Sequence, residues 1–189
     1  MRMLFQAISD HYVLLFIRTF AALVLLVAGI SKLGGRREFI ETVRDYRLLP
    51  KDLSIFVGRW MPVLEIMIGI GLLLGILILL TAFVAATLFI LFGIAVAINL
   101  LRGRSNISCG CFGPQQNRHL TWILVTRNMI FAALMTLVGL DALGSDDNAQ
   151  LTAEKTVATT LVAATSLSLW WLWGYIRMLL HLDLSDGNP

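Results

Sequence analysis

Charge is what this chain has least of. Asp, Glu, Lys and Arg together make up 14% of its 189 residues, against about 25% in an ordinary soluble domain. The few that exist are clustered, and long stretches carry none, which excludes a water-soluble globular domain. Cysteine is nearly absent too. Two residues, Cys109 and Cys111, cannot build the disulfide framework of a small secreted protein. There is no internal repeat, so a transporter built from inverted halves has little support. Excess charge of one sign is also lacking. The net charge is +3, and the basic residues lie between apolar runs, where they set topology and meet lipid headgroups. A nucleic-acid partner is therefore not expected.

What the chain does have is apolar surface: 58% of its residues are hydrophobic. The pattern predicts an all-α integral membrane protein, one domain over residues 1–189, with about five transmembrane helices (a four-helix core plus a C-terminal helix). The first span is about 12–33. It is longer than the roughly 7–15 apolar residues of a signal-peptide core, so it reads as a retained helix. From Trp60 to Leu101 the chain is almost entirely apolar. Roughly 40 residues at about 1.5 Å each is too long for one crossing. Two spans, about 58–77 and 80–101, are needed, with a tight turn near 74–81 and Pro62 in the first turn of the former. Spans four and five are about 120–140 and 156–181. Trp170, Trp171, Trp173 and Tyr175 on the last resemble an interfacial aromatic belt. The charged segment 34–58 breaks at Leu48-Leu49-Pro50. It is either a short amphipathic surface helix or a solvated loop.

With five spans, the segments 34–58 and 102–119 and the C-terminus share one side. That side carries Lys32, Arg36, Arg37, Arg44, Arg47, Lys51, Arg59, Arg102, Arg104, Arg118 and Arg177, while Arg2 and Lys155 lie on the other. The positive-inside rule puts the richer side in the cytoplasm.

Polar groups inside spans are costly and mark either helix-to-helix glue or function. Glu65 and Arg127 each lie roughly 10 Å below the basic side, counted at about 1.5 Å per residue. Asn128 adjoins Arg127, and Asn99 and Lys32 lie near the same ends of their spans. The expectation is one polar layer under the loop 102–119, with a Glu65–Arg127 pair joined by Lys32. Arg18 lies toward the opposite side and is expected to snorkel to the headgroups.

The loop's most informative stretch is Cys109-Gly110-Cys111-Phe112-Gly113. Two residues of extended chain reach about 7 Å at most, while a disulfide wants Cα atoms about 4.4–6.8 Å apart. Closure needs a bent backbone, which Gly110 permits. A strained disulfide is readily reduced, as catalytic or regulatory pairs are. Arg102, Arg104, Arg118 and Arg127 would favour the thiolate. A redox-active dithiol is the leading reading. A soft-metal site using Cys109, Cys111 and His119, and an inert turn, are the alternatives. A closed zinc site is short of ligands, so no metal is assigned.

The ordered set Ala28-Gly29-Ile30-Ser31-Lys32-Leu33, Phe39 through Tyr46 to Leu48-Leu49-Pro50, Pro62 with Glu65, Asn99-Leu100-Leu101-Arg102-Gly103, the Cys-Gly-Cys-Phe-Gly motif and Arg127-Asn128 resembles the MauE family of the methylamine-utilisation clusters, within the DoxX-like group. The resemblance covers roughly residues 20–135. It implies a bacterial inner-membrane protein that supports disulfide formation or isomerisation in the periplasmic methylamine dehydrogenase small subunit, with a thioredoxin-like periplasmic partner. Quinone-linked relatives in the wider group make a quinone-coupled thiol oxidoreductase the alternative, and a non-redox assembly or metal-handling factor the third reading. The charge rule conflicts with a periplasmic substrate. Either the topology is inverted, or the loop re-enters the bundle, or one cysteine pair serves both sides in turn.

Overall fold

The computed structural model describes residues 11–107, 120–144 and 160–166. In this part the chain is all-helical: α1 (His11–Gly34), α2 (Arg36–Asp45), α3 (Lys51–Leu74), α4 (Ile78–Leu101) and α5 (Trp122–Gly144). Residues 160–166 form a further helical stretch. They fall within the span expected at 156–181, the rest of which lies outside the described residues, as do the four aromatic residues of its belt. The helices α1, α3, α4 and α5 are long and apolar enough to cross a membrane. The chain is a multi-pass helical membrane protein. In hydrocarbon, backbone N–H and C=O groups have no water to bond, and helices satisfy them within the segment.

The charged segment after α1 contains a helix. In α2 the charged residues face out, while Phe39 is buried. Glu38 in its first turn and Arg44 in its last complement the helix dipole. The helix packs on the start of α3. A Cβ on Gly58 would meet Ile40 Cγ1 at 2.9 Å, and Arg36 Nη2 donates to the Arg59 carbonyl at 3.2 Å.

Because α2 covers its first turns, α3 starts at Lys51, directly after Pro50, rather than near 58. Proline suits the residue just outside a helix, and the break it imposes falls on the residue before it. Pro62 is consequently interior to α3, not in its first turn. Its missing N–H leaves the Gly58 carbonyl without the usual i+4 donor.

The turn to α4 is tight. Gly75 takes φ 71° and closes α3, the Ile76 N–H bonds the Gly71 carbonyl at 2.9 Å, and Leu77 follows at φ 49°. In pairs, α1 packs with α3 and α4 with α5. The core is built from Ala21, Ala22 and Leu25 of α1, Leu72 of α3, Ala82, Ala85 and Phe89 of α4, and Met135 of α5. Small residues let membrane helices approach closely, which matters where lipid is as apolar as the core. Gly29 shows this most clearly. An added Cβ would lie 2.8 Å from the Pro62 carbonyl oxygen and 2.7 Å from Ile66 Cγ1. Phe131 bridges the two helix pairs, its ring 6.1 Å from Phe20 and 5.1 Å from Phe89.

Candidate functional site

The chain direction alternates from α1 to α3 to α4 to α5, so Gly34, Lys51, Leu101 and Trp122 collect at one end of the bundle. Cross-links at that end bear this out. Arg102 Nη1 donates to the Arg47 carbonyl at 3.4 Å. The Leu120 N–H donates to the Ser105 carbonyl at 2.9 Å. This last bond ties together the two strands of chain that lead into residues 108–119. Those residues, with Cys109, Cys111 and His119, lie outside the described part.

Below this end sits a buried ion pair. Lys32, near the C-terminus of α1, pairs with Glu65 of α3 through Oε1. Both are almost fully buried, at 2% and 1% exposure. The close approach at Gly29 sets the pair, because a turn earlier on α1 it brings the helix against Pro62 and Glu65 Cβ. The ammonium also lies 5.1 Å from the Phe39 ring centroid and 4.7 Å from that of Phe92. Lys32 is thus held by three other helices: α2 and α4 supply aromatic faces, and α3 supplies the carboxylate. Cation–π contacts of this kind gain strength away from water. Glu65 Oε2 is buried with no hydrogen-bond partner among the described residues. A carboxylate oxygen with free lone pairs is a ready acceptor for a proton or a donor group.

The other expected members of the layer divide. Arg127 is within electrostatic range of Lys32, but the pair seen at Glu65 is with Lys32, not the expected pair with Arg127. Asn99 and Asn128 are buried, yet their amides turn back onto their own helices. Asn99 Nδ2 donates to the Ala95 carbonyl at 3.0 Å and Asn128 Nδ2 to the Leu124 carbonyl at 2.7 Å. Asn99 Oδ1 accepts from Arg104 Nη1 at 3.4 Å, and the Arg104 N–H bonds the Asn99 carbonyl at 3.0 Å. Asn99 therefore anchors the chain as it leaves α4 toward the cysteines. Neither amide bonds the ion pair. Phe92 was not singled out by sequence reasoning. An aromatic residue in an apolar span gives no signal of its own.

Two hollows flank this end. One, of about 390 Å³, lies along α5 and is lined by Trp122, Ile123, Thr126, Arg127, Ile130 and Phe131. The other, of about 380 Å³, lies between α2 and α3 and is lined by Arg44, Arg47, Leu48, Leu49, Lys51 and Ser54. Arg18 stands apart from all of this. It is only 5% exposed. Its guanidinium lies against the α3–α4 turn, where a Cβ on Gly75 would be 3.4 Å from Nη1, and its Nε has no hydrogen-bond partner among the described residues.

Comparison with known proteins finds relatives over most of the chain. The family model described as methylamine utilisation protein MauE matches residues 10–141. The methylamine utilization protein MauE of Paracoccus denitrificans is 41% identical over 118 residues, which is 62% of this chain and 63% of that protein. The match thus spans less than two thirds of that relative. The protein of the same name in Methylorubrum extorquens is 41% identical over 126 residues, 67% of this chain and 68% of the relative. That of Methylophilus methylotrophus is 37% identical over 166 residues, 86% of this chain and 84% of the relative. No solved structure matches the chain.

Proposed function

The chain belongs to the MauE family, and from that premise we propose that it is an inner-membrane accessory protein of methylamine utilisation that works by thiol–disulfide exchange through Cys109 and Cys111. In the exchange, a thiolate of the reduced protein attacks a sulfur of the oxidised one, and a mixed disulfide forms. The attacker's second thiol then displaces the partner. Two electrons and two protons pass from dithiol to disulfide, so the step balances without a further reagent. A thioredoxin-like periplasmic protein is the proposed partner, and the methylamine dehydrogenase small subunit the proposed beneficiary.

One observation carries this reading beyond family resemblance. The Leu120–Ser105 hydrogen bond pins both ends of the cysteine segment to the bundle end that holds the Lys32–Glu65 pair. A segment whose flanking residues are bonded to each other at the end of the bundle that holds a buried ion pair suits a reactive thiol pair better than a free linker does. Glu65 Oε2, with no partner among the described residues, is the proposed acceptor for a proton released at that end.

Thiol trapping in intact cells tests the proposal. A membrane-impermeant maleimide is applied before and after reduction, and again with the membranes opened. Labelling from outside only after reduction is the expected result, and it places a disulfide on the periplasmic face against the charge rule. Free thiols under every condition would overturn the exchange. So would full methylamine dehydrogenase activity in both Cys109→Ser and Cys111→Ser strains.

A second reading, a quinone-coupled thiol oxidoreductase, has the α5 hollow in its favour. That hollow sets Trp122 and Phe131 beside Arg127, an aromatic and cationic lining fit for a quinone ring and its oxygens. Stoichiometric quinone reduction by the purified, dithiol-loaded protein would favour it over exchange with a protein alone.

A further inference from the structure

The hollow between α2 and α3 is a place where positive charge collects without an answering negative one. Arg44 ends α2, Lys51 opens α3, and Arg47 lies in the connection. Arg102 reaches the same connection from α4 through its bond to the Arg47 carbonyl. No carboxylate lines the hollow. Asp45 and Asp52 are neighbours in sequence but are exposed and outside its lining. Tyr46 adds no negative charge, because burial pushes its phenol up.

Local backbone adds to the effect. Arg47 sits at φ 49°, where glycine or asparagine would bear the conformation at less cost. The hollow also meets the start of α3, a 24-residue helix whose N-cap is Pro50, with no side-chain cap. Its first N–H groups lack intrahelical acceptors, and they add partial positive charge. Ser54 Oγ is already committed to the Pro50 and Leu49 carbonyls.

An apolar track leaves the hollow along α3. Leu49, in the lining of the hollow, is exposed, and so are Leu53, Phe56, Trp60, Leu64 and Met67 of α3, which follow one another at steps of three, four, four and three residues. That spacing makes one continuous stripe on a helix. It runs from the cationic hollow toward the membrane interior.

From the cationic hollow and the stripe together, we infer that this end of α2 and α3 is a binding site for an anionic phospholipid, with its phosphate headgroup among Arg44, Arg47 and Lys51 and its acyl chain crossing Leu49 onto the outer face of α3 at Leu53, Phe56 and Trp60. Basic clusters next to membrane helices recognise such headgroups through charge. Here the enclosing turn adds shape, and the stripe selects a lipid over a free anion.

The test uses the whole protein in nanodiscs of phosphatidylcholine, with or without phosphatidylglycerol. Thermal unfolding is compared for the native protein, for Arg44→Gln/Lys51→Gln, and for the equal charge loss Arg37→Gln/Arg59→Gln at exposed positions. Phosphatidylglycerol should raise the unfolding temperature of the native protein and of the second variant, and do so several-fold less for the first. An equal response in all three would reduce the site to general surface charge. The same rise on adding inorganic phosphate to phosphatidylcholine discs would make it a free-anion site. Both results overturn the inference. A measurement on the native fold stands beside it: phosphatidylglycerol brominated on its acyl chain should quench Trp60 more than brominated phosphatidylcholine does. The difference should vanish in Trp60→Phe. Equal quenching by the two lipids would also overturn the site.

Discussion

Helix α1 buries two cations, and the protein treats them in opposite ways. Lys32 is 2% exposed and is met by Glu65, Phe39 and Phe92 from three other helices. Arg18, on the same helix, is 5% exposed. It meets the outside of a turn, and its Nε stays without a hydrogen-bond partner among the described residues. Burial alone therefore does not distinguish the two. What distinguishes the Lys32 end is convergence: four helices meet at one ammonium, and the adjoining carboxylate still has an oxygen to offer. Among the described residues, no counter-charge joins Arg18 in its burial.

The largest expected effect follows from breaking the pair at the convergent end. Lys32→Met leaves Glu65 buried and uncompensated, and should cost about 3–5 kcal/mol. Thermal unfolding of the purified protein in detergent reads this directly. The double change Lys32→Met/Glu65→Leu should recover most of the loss, since a buried pair is often replaced by apolar side chains at little cost. Single and double variants that lose equally would show the pair to be incidental, and the contrast between the two ends would lose its basis.

A smaller effect separates the pair from the packing that sets it. Gly29→Ala places a Cβ within 2.8 Å of the Pro62 carbonyl oxygen and within 2.7 Å of Ile66 Cγ1. The backbone oxygen cannot rotate away, so α1 must shift from α3 at an overpacking cost of about 1–3 kcal/mol. Combining it with Lys32→Met should give less than the sum of the two losses, because the pair depends on that approach. Strict additivity would mean that the glycine contact and the pair are independent.

These two predictions also show what was legible in the sequence. Apolar runs make the membrane class and the helices visible, and an ionisable residue such as Glu65 stands out in such a run. Which residue Glu65 meets was not legible. Helices apolar all round carry no stripe to tell which face turns inward. Depth counting put Glu65, Arg127 and Lys32 at one level, but helix rotation chose Lys32. The start of α3 was hidden for a related reason. Ser54 and Gly58 turn one side of its first turns inward, toward α2, and Lys51 and Asp52 open it, so Lys51 to Val57 read as part of a polar connection. The cysteine motif is the reverse case. Its chemistry is plain from the residues, while Cys109 and Cys111 lie outside the described structure.

The smallest expected effect, and the one of opposite sign, belongs to Arg18. Its guanidinium has been taken out of water without a carboxylate to meet it among the described residues. Replacing it with an apolar side chain of similar length removes that desolvation and keeps the packing against the α3–α4 turn. Arg18→Met should therefore stabilise the fold by about 1 kcal/mol, the low end of such apolar replacements, and raise the unfolding temperature, while Lys32→Met lowers it. The two substitutions exchange one buried cation of the same helix for the same side chain, so their difference isolates what the surroundings contribute. A loss at Arg18 as large as that at Lys32 would mean that a counter-charge reaches it from beyond the described residues. The acidic stretch with Asp146, Asp147 and Glu154 would be the first place to look, by repeating the measurement with each carboxylate changed to its amide. In that event both ends of α1 would be paired centres. The asymmetry that sets the cysteine end apart would then rest on the aromatic faces of Phe39 and Phe92 alone.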